Sequence, residues 1–384
     1  MISTNSSPSC GRKAARKSDP ASMTDTRFMA LALSLGRRGQ GAVWPNPAVG
    51  CVIVRDGRIV GRGTTAPGGR PHAETQALAQ AGAAARGAVA YVSLEPCAHH
   101  GQTPPCAQAL IDAGIVRVVA ATGDSDRRVD GKGFAMLRAA GIEVVTGVLE
   151  DEARADNAGF FNRLEHGRPL VTLKLAQSFD GRIATGTGES QWITSAPARR
   201  LVHAMRSRHD AVMVGAGTAR KDDPSLTVRD LGIERQPARV VVSRRLDLPL
   251  LGQLARSAAA PPLILCHGRD ADAALVRTWR DLGATLLPCG ASGGQLDMRD
   301  VLKGLGDQGL TRVFCEGGSA LAASLLAADL VDRLVGFSAG LVIGAEGLPG
   351  IGAMGLGRLA EAPRFELESC RPVGPDVLQT WRRV

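Results

Sequence analysis

The sequence predicts an α/β protein of two domains, and three observations carry that prediction. Apolar runs with strand spacing alternate with helical patterns from Val49 onward, which calls for sheets covered by helices. A polar break, "NRLEHGRPLV", interrupts this alternation near Gly167, and a second α/β series follows. With 384 residues, each part has enough chain to bury its own core.

The elements follow in order. Residues 1–22 are rich in Ser, Arg and Lys and lack an apolar segment, so they predict a disordered extension and not a secretory signal. Met23 opens the helical pattern "MTDTRFMALALSLG", where translation is also expected to be able to start. "VGCVIV", an Asp56-Gly57 turn and "RIVGRG" predict a hairpin, followed by a helix near His72. Strand "AVAYVSL", a helix over 106–113, strand "VRVVAA", a helix over 134–140 and strand "EVVTGV" complete a first, largely parallel sheet covered on both faces. After Gly167, strands are predicted at "LVTLKLA", 210–214, 239–243, 263–266, 285–287 and 311–315, with helices between several of them. From Leu330 the pattern turns β-rich around "GAEGLPGIGAMG". The resulting domains are 23–166 and 167–384.

Composition excludes some functions. No run approaches the roughly 18 apolar residues of a membrane span. The net charge of +9 is scattered apart from four basic residues in the extension, and aromatics make up 3%, so nucleic acid is not the expected partner. Eight cysteines without a disulfide rhythm point to a reducing cytoplasm, where a close pair holds metal.

Chemistry concentrates first at "HAE" and "LEPCAHHGQTPPC". His72, Cys97 and Cys106 are three ligands suited to tetrahedral zinc, leaving a fourth position for water, and Glu74 is the expected general acid/base. Residues two apart do not share a helix face, so His72 and Glu74 converge only at a helix start. His99 and His100 are extra candidates and are read as loop or substrate-contacting residues.

H-x-E with P-C…C resembles the zinc base and nucleoside deaminases. With "PNPAVGCVIV" upstream and the long cysteine spacing, the chain resembles the bifunctional riboflavin-biosynthesis family, a pyrimidine deaminase fused to a uracil reductase. "LKLAQSFDGR", "GESQWITS", "GAGTARKDDPSLTVR" and "CEGGSALAASLL" extend the resemblance over nearly the whole chain from Met23. It implies a cytidine-deaminase-like three-layer domain followed by a dihydrofolate-reductase-like α/β domain. It assigns zinc to His72, Cys97 and Cys106, proton transfer to Glu74, and the pyrimidine pocket to Asn46. Lys174, Ser190, Arg206, Leu226, Arg229 and Glu316 fall on substrate positions. Ala176, Trp192, Thr218, Asp222 and the run Gly318, Ser319, Ala320, Leu321, Ala322, Ala323 and Ser324 fall on NADPH positions. Arg244 stands where the family can have a small polar cofactor contact.

The residues themselves support part of this. Gly317 and Gly318 before a helix leave backbone amides free for a cofactor phosphate. Arg220 occupies the third-glycine position after Gly215 and Gly217, which disfavours a standard dinucleotide fingerprint. The expected activity is zinc-dependent deamination of a phosphorylated pyrimidine, then NADPH-dependent reduction of its ribosyl chain to ribityl, by a homo-oligomer. Two rivals remain at this point: a zinc deaminase of another base or of nucleic acid with an accessory nucleotide-binding domain, and a zinc-stabilised binding module with His99 or His100 as fourth ligand.

Overall fold

The computed structural model describes residues 22–98, 104–126 and 130–384. Most of the predicted extension, and both His99 and His100, lie outside the described residues.

Helix α1 (Met23–Arg37) starts where Ser22 accepts the Asp25 N–H at 3.0 Å. The first sheet contains β1 (Gly50–Arg55), β2 (Arg58–Thr64), β3 (Val89–Val92), β4 (Arg117–Ala120) and β5 (Glu143–Thr146), in the order β2-β1-β3-β4-β5. Period-two alternation splits β1 between two cores. Val52 and Val54 face Met29, Ala32 and Leu33 of α1, whereas Cys51 and Ile53 face α2 (Ala73–Ala81), α3 (Cys106–Asp112) and α4 (Lys132–Ala139). The result is three layers.

Two expectations need correction. The first sheet is mixed, because β1 pairs antiparallel with both β2 and β3 while β3, β4 and β5 run parallel. The Asp56-Gly57 hairpin can only reverse the chain, and α2 then returns it parallel to β2 on the far side of β1. The segment read as a polar break is largely helical. After α5 (Glu150–Asp156), α6 (Ala158–His166) buries Phe160 and Phe161 in the first core and packs Leu164 against it, with its polar residues on the other face. The break itself is Gly167, the left-handed C-cap at φ 69°.

The second sheet is larger. It is built from β6 (Leu170–Ser178), β8 (Ala211–Gly215), β9 (Ala238–Val242), β10 (Leu263–Gly268), β11 (Thr285–Cys289), β14 (Arg312–Cys315), β15 (Arg333–Ala339), β17 (Phe365–Val373) and β18 (Asp376–Arg383). Its order is β11-β10-β9-β8-β14-β6-β15-β18-β17, parallel from β11 to β15 and closed by an antiparallel β18-β17 hairpin. Three short segments, β7 (Arg182–Ala184), β12 (Ala291–Ser292) and β13 (Gln295–Leu296), and the two-residue β16 (Leu348–Pro349) form small ribbons beside it. Helices α7 (Ala196–Arg206), α8 (Ala216–Asp222), α9 (Gln253–Arg256), α10 (Ala273–Asp281), α11 (Met298–Asp307) and α12 (Ser319–Ala327) cover its faces.

The halves meet through backbone acceptors. Arg312 donates to the carbonyls of Ala155 and Asp156, and Arg163 donates to the Gly306 carbonyl at 2.7 Å. No helix among the described residues is long and apolar enough to cross a membrane, and the described cysteines are unpaired.

His209, buried after α7, contacts the Met205 carbonyl at 2.8 Å and the Thr172 hydroxyl at 3.1 Å. Burial pushes its pKa down to about 3. The fold therefore holds a neutral ring, and below about pH 6.5 only the unfolded chain takes up the proton. Stability should fall as pH drops from 6.5 towards 3, by about 2 kcal/mol at pH 5 from this group. Urea midpoints at pH 7.5 and 5 should show that His209→Gln flattens the loss; an equal acid loss in both chains refutes the assignment.

Candidate active sites

Two loops and two helix starts assemble the first site. His72 is the extended N-cap of α2 (φ −71°, ψ 162°), so its ring projects off the helix end while Glu74 sits in the first turn. Cys106 opens α3 after Pro105, and its backbone N–H donates to Cys97 Sγ at 3.3 Å. His72 Nδ1 lies 3.2 Å from Cys106 Sγ and 3.7 Å from Cys97 Sγ. The three ligand atoms are all within 4.8 Å of one another.

Electrostatics fit a metal. The hydrogen bond from Cys106, then those from the His72 ring and the Cys106 amide, lower the Cys97 thiol to about 4, although burial opposes them. The same sharing, together with burial, pushes the Cys106 thiol up. His72 is raised, chiefly by its hydrogen bond to Cys97. Two thiols and an imidazole sharing protons are the protonated form of a zinc-ligand set, whose edges should be roughly 3.5 Å at zinc bond lengths. The donor set thus fits zinc. Glu74 is 4% exposed, and burial raises its carboxyl to about 7, suited to proton transfer.

A cavity of about 340 Å³ opens beside Glu74, and Asn46 lines it as expected. Arg70, Phe160, Arg163 and Leu164 line it too, three of them from the helix α6 that the sequence reading missed. Glu95 is another omission: its carboxylate accepts the backbone N–H groups of Gly131 at 3.0 Å and Gly133 at 2.9 Å, so it ties the Cys97 loop to the start of α4.

The position of α2 depends on glycine. A Cβ at Gly63 would lie 1.9 Å from the Ala73 carbonyl oxygen, so strand and helix touch backbone to backbone. Gly63→Ala should push α2 and Glu74 away from the cysteines, costing about 1–3 kcal/mol and deaminase activity while sparing reduction. Zinc content and ammonia release check this; an unchanged deaminase refutes it.

The second half carries two cavities. One, of about 540 Å³, is lined by Lys174, Ser190, Arg206, Arg229 and Glu316, as the substrate expectation has it, and also by Ala176 and Trp192, expected at the cofactor. Arg199 and Arg200 of α7 add positive charge that the sequence reading did not single out, and His203 lines the cavity beside them with its pKa lowered by burial and by Arg206. Glu316 accepts both Arg206 Nε and Nη2, the latter at 2.9 Å, and lies 3.8 Å from Lys174 Nζ. Burial alone would raise Glu316, but Arg206 and Lys174 outweigh it and its pKa falls. Burial lowers Lys174.

The other cavity, of about 670 Å³, is lined by Thr218, Asp222, Gly318, Ser319, Ala320, Leu321 and Ser324. Gly317 (φ 92°) and Gly318 (φ 54°) take left-handed conformations at the start of α12. A cradle of this size, with Arg220, Lys221, Arg244 and Arg245 along it, fits a phosphorylated dinucleotide such as NADPH. Arg244 reaches it while paired with Asp270. Ala322 and Ala323 lie beneath it, buried, and Leu226 is buried in a neighbouring core, so these three side chains line neither cavity. The cavities meet at Ile183 and Ser190.

Comparison with known proteins follows the same division. The cytidine and deoxycytidylate deaminase zinc-binding region matches residues 22–122, and the RibD C-terminal domain matches residues 169–379. The riboflavin biosynthesis protein RibD of Aquifex aeolicus is 40% identical over 359 residues, spanning 94% of this chain and 98% of its own. The chain belongs to the RibD family. A RibD structure from Acinetobacter baumannii is similar at 36% identity and TM-score 0.84, covering 94% of this chain and 99% of that one. A Thermotoga maritima structure, described as a diaminohydroxyphosphoribosylaminopyrimidine deaminase and 5-amino-6-(5-phosphoribosylamino)uracil reductase, is similar at 34% and TM-score 0.83, with the same coverage. As a RibD family member, the chain is a deaminase and a reductase of riboflavin biosynthesis in one polypeptide, with a zinc-binding deaminase half and an NADPH-dependent reductase half.

Proposed function

We propose that the chain deaminates 2,5-diamino-6-(ribosylamino)pyrimidinone phosphate with residues 23–166, then reduces the ribosyl chain of the product with residues 167–384. The observation that carries this reading is the pairing of a His72, Cys97 and Cys106 cluster beside the buried Glu74 with a cationic reductase cavity next to a dinucleotide-sized one.

His72, Cys97 and Cys106 would hold zinc, which when bound would supply Lewis acidity next to Glu74. Glu74 takes the proton of the attacking water and delivers it to the amine, which leaves as ammonia. Asn46 orients the ring from the cavity wall. In the reductase half, Arg206 and Arg229 hold the phosphate or its sugar, and Lys174 and Glu316 position the ribose carbon at the Ser190 junction. Thr218, Asp222 and the start of α12 would hold NADPH, which when bound would supply the hydride. Ala176 and Trp192 lie on the substrate side of that junction and contact the nicotinamide end in this reading.

The cytoplasm is the proposed compartment, since the thiol ligands must stay reduced. A homo-oligomer belongs to the reading as well, supported by the nine-residue edge strand β17, most of whose residues are exposed. Purified chain given the diaminopyrimidine ribosyl phosphate, zinc and NADPH should release ammonia and then oxidise NADPH. If neither signal changes, the reading is wrong.

A further inference from the structure

A fourth cavity, of about 630 Å³, lies between the halves and belongs to neither reaction site. Arg37 and Arg38 line it from the end of α1, and Arg208 and Arg235 from the reductase half. Its walls are fixed. Gly41 (φ 75°) brings the α1 turn so close that a Cβ there would lie 2.7 Å from the Ser207 carbonyl oxygen, and Arg235 donates to that same carbonyl at 3.3 Å. Gln40 bonds the Asp156 carbonyl at 3.0 Å from the other side.

The charges do not balance internally. Asp156 and Glu152 both pair with Arg37, at 2.7 and 3.5 Å. Among the described residues, no carboxylate lies within ion-pair distance of Arg38 or Arg208, and Arg235 feels only the more distant charge of Asp210. Four guanidinium groups gathered in one concavity repel one another, and planar forks of this kind match phosphate oxygens. The volume lies in the range for a small ligand, and seven of the ten residues that line it are polar or charged, with Ile233 the largest apolar side chain.

We propose that this interdomain cavity is a third anion site, which takes the phosphate monoester of a small polar molecule. An ester bound there bridges α1 of the deaminase half to the segments 207–208 and 233–235 of the reductase half. The site stands on geometry alone and does not depend on the proposed substrate.

Equilibrium dialysis of the full chain against labelled inorganic phosphate and ribose 5-phosphate tests it, comparing the native protein with Arg38→Gln/Arg208→Gln. Both arginines lie outside the reaction cavities, so both half-reactions should keep their rates and KM values. The native chain should bind one more equivalent than the double variant, or bind it at least ten-fold tighter. Equal stoichiometry and affinity overturn the proposal, as does a variant whose lost equivalent is matched by a raised KM in either half-reaction, which would place the phosphate in a reaction pocket. A further arm uses the deaminated pyrimidine ribosyl phosphate. Ten-fold tighter binding than ribose 5-phosphate names the enzyme's own ester as occupant, and equal binding names phosphomonoesters generally; either result upholds the site.

Discussion

Replacing Glu74 with glutamine is expected to cut ammonia release by about 10²–10⁴-fold while zinc content and NADPH-dependent reduction of the deaminated intermediate stay intact. The magnitude is that of removing a positioned proton carrier. Glutamine keeps the volume of a side chain that is 4% exposed in the first turn of α2, so the helix and the ligands beside it should hold their places. What it lacks is the ability to accept a proton from water and yield it to the leaving amine. Metal analysis, ammonia detection and NADPH absorbance on the same preparation separate these effects. A loss under ten-fold sinks the proton-transfer role, and loss of zinc with activity would make Glu74 a support for the ligands.

That prediction uses the part of the site most legible in the sequence. His72, Cys97 and Cys106 announce themselves because few residue types bind zinc, and proline before Cys106 marks the helix start that aims it. Glu95 carries no such mark. It acts on backbone N–H groups some 35 residues downstream, which any residue type supplies, so only the folded loop reveals it. Helix α6 was hidden for a different reason: its polar outer face and the Gly167 stop read as a linker, while Phe160 and Phe161 were too few to show a period.

In the reductase half, resemblance named residues but not the directions of their side chains. The run from Gly318 to Ser324 winds as a helix, so Ala322 and Ala323 turn into the core while Ser319, Ala320 and Ser324 face the cavity. The strand order of the first sheet was likewise only half legible, since alternating patterns do not say where β3 inserts relative to the hairpin. The interdomain cavity was not legible at all, because its four arginines are ordinary surface residues until Gly41 and Ser207 bring them together.

The charge group at the centre of the reductase cavity supports the other large effect. Glu316→Gln should abolish reduction, by at least about 100-fold, and destabilise the reductase half by about 3–5 kcal/mol, with deamination spared. Glu316 is the shared partner of Arg206 and Lys174, both largely buried, and its loss leaves two like charges facing each other without compensation. The sign of the accompanying pH effect follows from the same group. Burial already lowers Lys174, Glu316 raises it, and Arg206 lowers it further. Without Glu316 only the lowering influences remain, so the ammonium gives up its proton at lower pH than in the native chain. Residual reduction that depends on charged Lys174 should therefore have its alkaline limb shifted to lower pH. Rate against pH for the deaminated intermediate, with urea unfolding alongside, checks both parts. A variant of native stability and unshifted limb would show that Arg206 and Lys174 are held by something other than Glu316.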